Sequence, residues 1–349
     1  MKTFRIGRLR RVAARLKNRF APGGLILLYH RVADVPSDPF QLCVKPRHFA
    51  EHLEVLKKYS YPVSLQHLVQ SVQNGKPFNR SVAITFDDGY ADNLHNAKPL
   101  LEQYDIPATV FVATGNLDRE RESWWDELER LLLQPSTLPN ILQLSMYGTT
   151  YLWDLGEAAY YSKDAYQRHR TWTWCVPKEF DPSPRQRLYR TLYQLLRPLA
   201  PDERQNLMDK ILTWSGAESK SRPTHRFLSA EEVYALEQGS LIEVGAHTVN
   251  HPFLSTLSGS KQQYEIEHSK TRLEEIIERP VNSFAYPHGD YTGQTVELAR
   301  KVGFVCACST IPTKVQRNND CFQLPRLVVQ DWDGEEFARQ LSRWFYLET

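Results

Sequence analysis

Several signatures that would settle the class at once are scarce or missing in this 349-residue chain. There are only five cysteines (Cys43, Cys175, Cys306, Cys308, Cys321), an odd number with no Cys-x-x-Cys spacing. A disulfide framework is not expected; buried free thiols in a reducing compartment are. No apolar run approaches the ~18 residues of a membrane-spanning helix. Charge of either sign barely prevails, with 43 Lys and Arg against 41 Asp and Glu. The net of +2 is too small to mark a nucleic-acid binder. No internal repeat or low-complexity tract is present. With 41% hydrophobic and 24% charged residues, the composition is that of an ordinary globular protein. Its length suits one barrel-sized domain or two smaller ones.

The charge is unevenly placed. Eight basic residues (Lys2, Arg5, Arg8, Arg10, Arg11, Arg15, Lys17, Arg19) fall in the first 20 positions, which hold no acid, leaving 35 basic against 41 acidic in the rest. Residues 1–24 thus read as a basic N-terminal arm on a mildly acidic body. Phe4, Ile6, Leu9, Val12, Leu16 and Phe20 recur at roughly helical spacing. The arm therefore has two readings: contact with an anionic membrane surface through residues 1–20, or a solvated terminal helix. The apolar run after it, Leu25–Leu28, is too short for a secretory signal core, so a cytoplasmic or membrane-peripheral location is expected.

Short apolar runs recur along the body: Leu25–Tyr29, Val82–Phe86, Ala108–Ala113, Leu241–Ala246, Ser283–Tyr286, Phe304–Cys308 and Leu327–Val329. Each has the length of a buried parallel strand. Helical patterns separate them at about 46–58, 64–73, 90–104, 230–238 (with the capping pair Ser229 and Glu232), 260–278, 293–302 and from Asp333 to about 345. The alternation predicts an α/β fold with a parallel sheet, closed as a barrel. Residues 118–226 break the rhythm. They hold six of the eight Trp residues and a hairpin pattern around Gly148-Thr149, and read as a helical, Trp-rich insertion. Its aromatics either fill its own core or form a platform on which sugar rings stack.

In parallel α/β barrels the chemistry sits at the C-terminal strand ends. Four of these runs end in His or Asp: at His30, at Asp87-Asp88-Gly89, at His247 with His251 four residues on, and at Pro287-His288-Gly289. Adjacent carboxylates at a strand end cannot point the same way. One can bind a metal while its neighbour faces the metal's water; alone, Asp-Asp-Gly reads equally well as a solvated turn. His247 and His251, placed on a helical turn, present both rings to one side. Two His, one carboxylate and an open position make the ligand set of a hydrolytic Zn2+ or similar site. Such an ion lowers the pKa of its water and polarises a carbonyl, and a carboxylate beside it takes the proton.

Ala83-Ile84-Thr85-Phe86-Asp87-Asp88-Gly89-Tyr90 and His247-Thr248-Val249-Asn250-His251-Pro252 resemble the first two motifs of the polysaccharide deacetylases, carbohydrate esterase family 4, the NodB-homology domain. The resemblance covers most of residues 25–330 outside the insertion. It implies a distorted (β/α)-barrel of about seven parallel strands and one divalent metal ion, usually zinc. It further implies that Asp87 is the general base and that Asp88, His247 and His251 are the metal ligands. The third family motif, Arg-x-Pro-Tyr, is only partly kept in Ala285-Tyr286-Pro287-His288. Ala285 stands where the base-orienting Arg belongs, and Arg326 is the candidate substitute. The family's oxyanion contact is a backbone N–H, which His288 can still supply. The late Leu-x-His motif is absent from its usual place. Leu27-Leu28-Tyr29-His30 resembles it, as in the circularly permuted branch that deacetylates exopolysaccharide, and this resemblance implies His30 as the general acid.

The reading is a metal-dependent deacetylase acting on the N-acetyl group of an amino-sugar glycan or lipid-linked sugar, with no nucleic-acid partner. Its rivals are a deformylase, an O-acetyl esterase, or a carbohydrate-binding pseudoenzyme.

Overall fold

The computed structural model describes residues 23–346 apart from Pro77 and Pro135. The basic stretch of residues 1–20, with its predicted membrane contact, lies outside the described residues. The chain forms two compact units. One contains the described residues up to Ala33, Cys43–Gly115 and the chain from Leu228 onward; the other contains Asp34–Leu42 and Asn116–Phe227.

The first unit is built on seven parallel strands: β1 (Leu25–Tyr29), β2 (Ser81–Phe86), β3 (Ala108–Val112), β4 (Ile242–Ala246), β5 (Ser283–Ala285), β6 (Cys306–Cys308) and β7 (Leu327–Val328). Their spatial order is β6-β5-β4-β3-β2-β1-β7, and the two-residue strand Tyr61–Pro62 adds to β2. Every residue of β1 and β2 is buried, as expected where helices cover a parallel sheet. The strands curl into a half-barrel. Ile26, Ala83, Phe111, Ala285, Cys306 and Cys308 belong to one buried cluster. Cys306 and Cys308 thus share a face, as strand alternation requires. Gly245 lies opposite Phe111 in the β4–β3 register, and a Cβ there would run into the Phe111 ring.

The chain after β6 links the two sheet edges. Leu324 N donates to Ala307 O and Ser309 N donates to Leu324 O on the β6 side. Three residues later, Leu327 and Val328 pair with Leu27 and Leu28 of β1. Arg326 sits in this closing segment, and that position carries its side chain into the barrel.

Helices begin where caps were expected. Ser229 and Glu232 cap each other reciprocally at the start of Ala230–Glu237, and the Asp333 carboxylate accepts from Glu336 N ahead of Gly334–Phe345. The pattern at 90–104 resolves differently, as a π-helical turn, Asn93–Ala97, followed by an α-helix, Lys98–Tyr104. Pro99 has no N–H to give to residue 95, so a continuous α-helical ladder cannot run through it.

In the second unit, helices Trp124–Leu133, Pro184–Leu196 and Pro201–Ser215 enclose a core that includes Leu128, Leu132, Leu188, Tyr189, Leu192 and Met208. A hairpin, Ile141–Met146 with Thr149–Asp154, turns at Tyr147 and Gly148, both with positive φ. Trp124, Trp153, Trp174 and Trp214 pack against this core and remain partly exposed.

Candidate active site

β2 delivers two carboxylates that part company at once. Asp88 (φ +74°) and Gly89 (φ +78°) are both left-handed, and the reversal turns Asp88 away from Asp87. A Cβ on Gly89 would lie 3.1 Å from Val112 Cγ1, so a side chain there would crowd Val112 as well as take on a left-handed φ. Both carboxylates are 4% exposed.

Asp87 is gripped by Arg326. Nη1 donates to Oδ1 at 2.6 Å and Nη2 to Oδ2 at 2.7 Å. Arg326 is itself fully buried; its Nε donates to Ser309 O and its guanidinium lies over the Phe111 ring. Burial pushes the Asp87 carboxyl up. The Arg326 and His247 charges and the Arg326 hydrogen bonds more than offset that and hold it below its ordinary range.

Asp88, His247 and His251 form a buried group whose ligand atoms all lie within 4.8 Å of one another. Asp88 Oδ1 is 3.6 Å from His247 Nε2 and 3.2 Å from His251 Nε2. His247 Nδ1–H donates to Ala285 O at 2.8 Å, which fixes the tautomer and leaves Nε2 as a lone-pair donor. One carboxylate oxygen and two imidazole nitrogens at such spacings fit a single divalent ion. The pair does not sit on a helical turn, as its spacing had suggested. His247–His251 is a loop in which Thr248 (φ +66°) and His251 (φ +52°) are left-handed and Thr248 Oγ1 accepts from His251 N. A local side-chain bond and two backbone reversals bring the rings together instead.

His30 lies immediately after β1. Tyr29 pairs with Phe86 in the parallel register, so His30 comes level with Asp87 at the same end of the sheet. Burial pushes the His30 pKa down to about 4, with Asp87 pulling it up and Arg326 and His247 pushing it down. Among the described residues no group hydrogen-bonds its ring. Its backbone is held firmly. Asn93 Nδ2 donates to His30 O, and Asp92 accepts from Arg31 Nε and Val32 N. His288 has φ +58°, and its ring stacks on Phe253 at 3.9 Å and lies 4.4 Å from that of His251. The structure therefore gathers Asp87, Asp88, His247, His251, Arg326, His30 and His288 at one end of the first unit.

Asp92 and Asn93 were missed in the sequence. Their only signal was proximity to Asp87-Asp88-Gly89, in a stretch read simply as helix.

The polysaccharide deacetylase family model matches residues 74–139 and 216–307. YxkH of Bacillus subtilis, a protein assigned to the polysaccharide deacetylases, is 35% identical over 306 residues, 87% of this chain and 70% of that one. A poly-beta-1,6-N-acetyl-D-glucosamine N-deacetylase of Staphylococcus aureus is 35% identical over 78 residues, 22% of this chain and 27% of that enzyme. Among solved structures, the Streptococcus pyogenes deacetylase PplD in complex with acetate aligns with a TM-score of 0.55 at 18% identity, covering 91% of this chain and 98% of that one. That likeness is one of fold. The chain belongs to the polysaccharide deacetylase family, whose members are metalloenzymes that hydrolyse N-acetyl amide bonds of polysaccharides.

Proposed function

We propose that this chain is a zinc-dependent N-deacetylase of a poly-N-acetylglucosamine type of glycan, with Asp88, His247 and His251 as ligands, Asp87 as general base and His30 as general acid. One observation carries the reading: the Asp87 carboxylate, fixed by Arg326, lies 3.8 Å from Nε2 of His247, beside the buried Asp88, His247, His251 group. A divalent ion held there supplies an acidified water and a polarised acetamide carbonyl. Asp87 accepts the proton of the attacking water. The His288 main-chain N–H donates to the acetamide oxygen as charge builds on it. His30 is neutral at rest. The negative charge developing on the acetamide draws a proton from solvent onto His30, which passes it to the departing amine, and Asp87 afterwards releases to solvent the proton it took from the water.

One carboxylate oxygen and two imidazole nitrogens are a ligand set that hydrolytic zinc takes, though not one that excludes other divalent first-row ions. The substrate class is supported by the stretch of 78 residues similar to the S. aureus enzyme. On this reading residues 25–345 are the deacetylase barrel, about 118–226 is an insertion in it, and residues 1–20 are a peripheral membrane contact. The test is acetate release from monomeric, lipid-linked and polymeric N-acetylhexosamines by the zinc-loaded protein. Release from poly-β-1,6-N-acetylglucosamine is expected. Release from lipid-linked sugar alone moves the substrate, faster hydrolysis of formamido or O-acetyl sugars moves the reaction, and release from none overturns the proposal. Removing residues 1–20 is expected to weaken salt-sensitive binding to anionic vesicles and to spare turnover of a soluble substrate.

A further inference from the structure

The loop carrying both histidines of the ligand group has little reason to hold its shape alone. Thr248 and His251 occupy left-handed conformations without being glycine. Non-glycine residues stay in such conformations only where the surroundings enforce them. Two sets of contacts do so here. From one side, Thr114 N donates to Thr248 O at 3.1 Å and Gly115 N to Val249 O at 2.8 Å. A Cβ on Gly115 would lie 2.7 Å from Val249 O, so only glycine lets the two chains approach this closely. From helix Gly259–Ile277, Glu265 reaches into the loop. Its Oε2 accepts from Val249 N at 2.9 Å and from Asn250 N at 2.8 Å, and its Oε1 accepts from Asn250 Nδ2 at 2.8 Å. Glu265 is 5% exposed, and all three of these donors belong to the residues between the two histidines.

We infer that Glu265 is a positioning residue for the metal: it fixes the 248–250 backbone and thereby sets His247 and His251 in binding geometry before any ion arrives. The inference rests on the reading of Asp88, His247 and His251 as ligands. It assigns the effect of Glu265 to hydrogen-bond geometry, not to attraction between its charge and a cation. Two variants separate these causes. Glu265→Gln gives up the charge but keeps an oxygen for Val249 N and Asn250 N, and its amide N–H can meet a flipped Asn250 side chain. Glu265→Asp keeps the charge but withdraws the carboxylate by one methylene.

The experiment measures zinc affinity by chelator competition on the metal-free full chain, for wild type, His251→Ala, Glu265→Gln and Glu265→Asp, with the melting temperature of each metal-free protein. Glu265→Asp is expected to bind zinc about 10–100-fold more weakly, the usual effect of losing a residue that orients a ligand. Glu265→Gln is expected to keep most of the affinity, and both to melt near wild type. The inference is overturned if Glu265→Asp binds like wild type, if Glu265→Gln is as weak as Glu265→Asp, or if the affinity loss merely tracks a lowered melting temperature. Wild type that binds no zinc, or His251→Ala that binds it unchanged, overturns the ligand assignment and the inference with it.

Discussion

Arg326 holds both oxygens of Asp87, at 2.6 Å and 2.7 Å, across 239 positions of sequence. Neither group is tolerable in this interior without the other. The carboxylate would be pushed toward its neutral form by burial, and the guanidinium would be a bare buried charge. Paired, they keep a carboxylate ionised and aimed beside the Asp88, His247, His251 group.

Arg326→Met is therefore expected to destabilise the fold by about 3–5 kcal/mol, the cost of leaving one partner of a buried pair. It also removes the charge that holds the Asp87 pKa down, so the acid limb of kcat/KM is expected to move to higher pH. Arg326→Lys restores the charge without the fork and is expected to fall between. A pH profile of each variant checks this; an acid limb that stays in place in Arg326→Met would free Asp87 from control by Arg326.

Metal binding and proton transfer are expected to separate by mutation. His251→Ala is expected to lose both stoichiometric divalent metal and activity. Asp87→Asn is expected to keep the metal and lose ~10²–10⁴ in rate, the usual worth of a general base. Metal analysis alongside acetate release on the same samples checks both, and full metal content in His251→Ala would remove it from the ligand set.

His52 makes a prediction about acid. It is fully buried; Nε2–H donates to Trp332 O at 2.7 Å, and Nδ1 accepts from the hydroxyl of Tyr29, the residue before His30. Burial pushes its pKa from 6.5 down to about 4. The folded state thus resists a proton that the unfolded chain takes up. The stability His52 contributes is complete above pH ~6.5 and drains away as pH falls toward ~4. Melting temperature of the metal-free protein is expected to drop across that window. His52→Phe, although less stable at pH 7, is expected to show a shallower drop, and an unchanged slope would show that other groups carry it.

The barrel was legible because its strands are buried on both faces, so the runs at 25–29 and 82–86 stand out as uninterrupted apolar stretches. What failed was local. Spacing alone made His247 and His251 look like neighbours on a helix, although Thr248 and His251 adopt left-handed angles that are uncommon for non-glycine residues and rarest for a β-branched one. Arg326 was visible only as a charge before a strand, because its partnership with Asp87 depends on how the closing segment bridges β6 and β1. Glu265 gave a faint signal. It adjoins Ile266 and shares the buried face of its helix with Leu273 and Ile277, a polar residue on an apolar stripe.

The role proposed for His30 belongs to the last step, the protonation of the departing amine. An acetamide expels a poor leaving group unless the nitrogen is protonated as the C–N bond breaks, whereas an activated ester releases a stable anion. If His30 is the acid, His30→Ala is expected to lose rate steeply on N-acetyl substrates, on the order of the 10²–10⁴ typical of an acid–base catalyst, and far less on an activated acetyl ester. On the proposed roles Asp87 and the Asp88, His247, His251 group would serve both reactions, and they are left in place in the variant. A resting pKa of about 4 sharpens the test. A His that is neutral at pH 7 contributes nothing as an acid until the substrate gains negative charge, so its effect belongs in kcat on amides with little change in KM. A histidine that only fills the end of β1 would cost both substrates equally and lower the melting temperature. Parallel losses on amide and ester, with a destabilised fold, would remove His30 from the reaction.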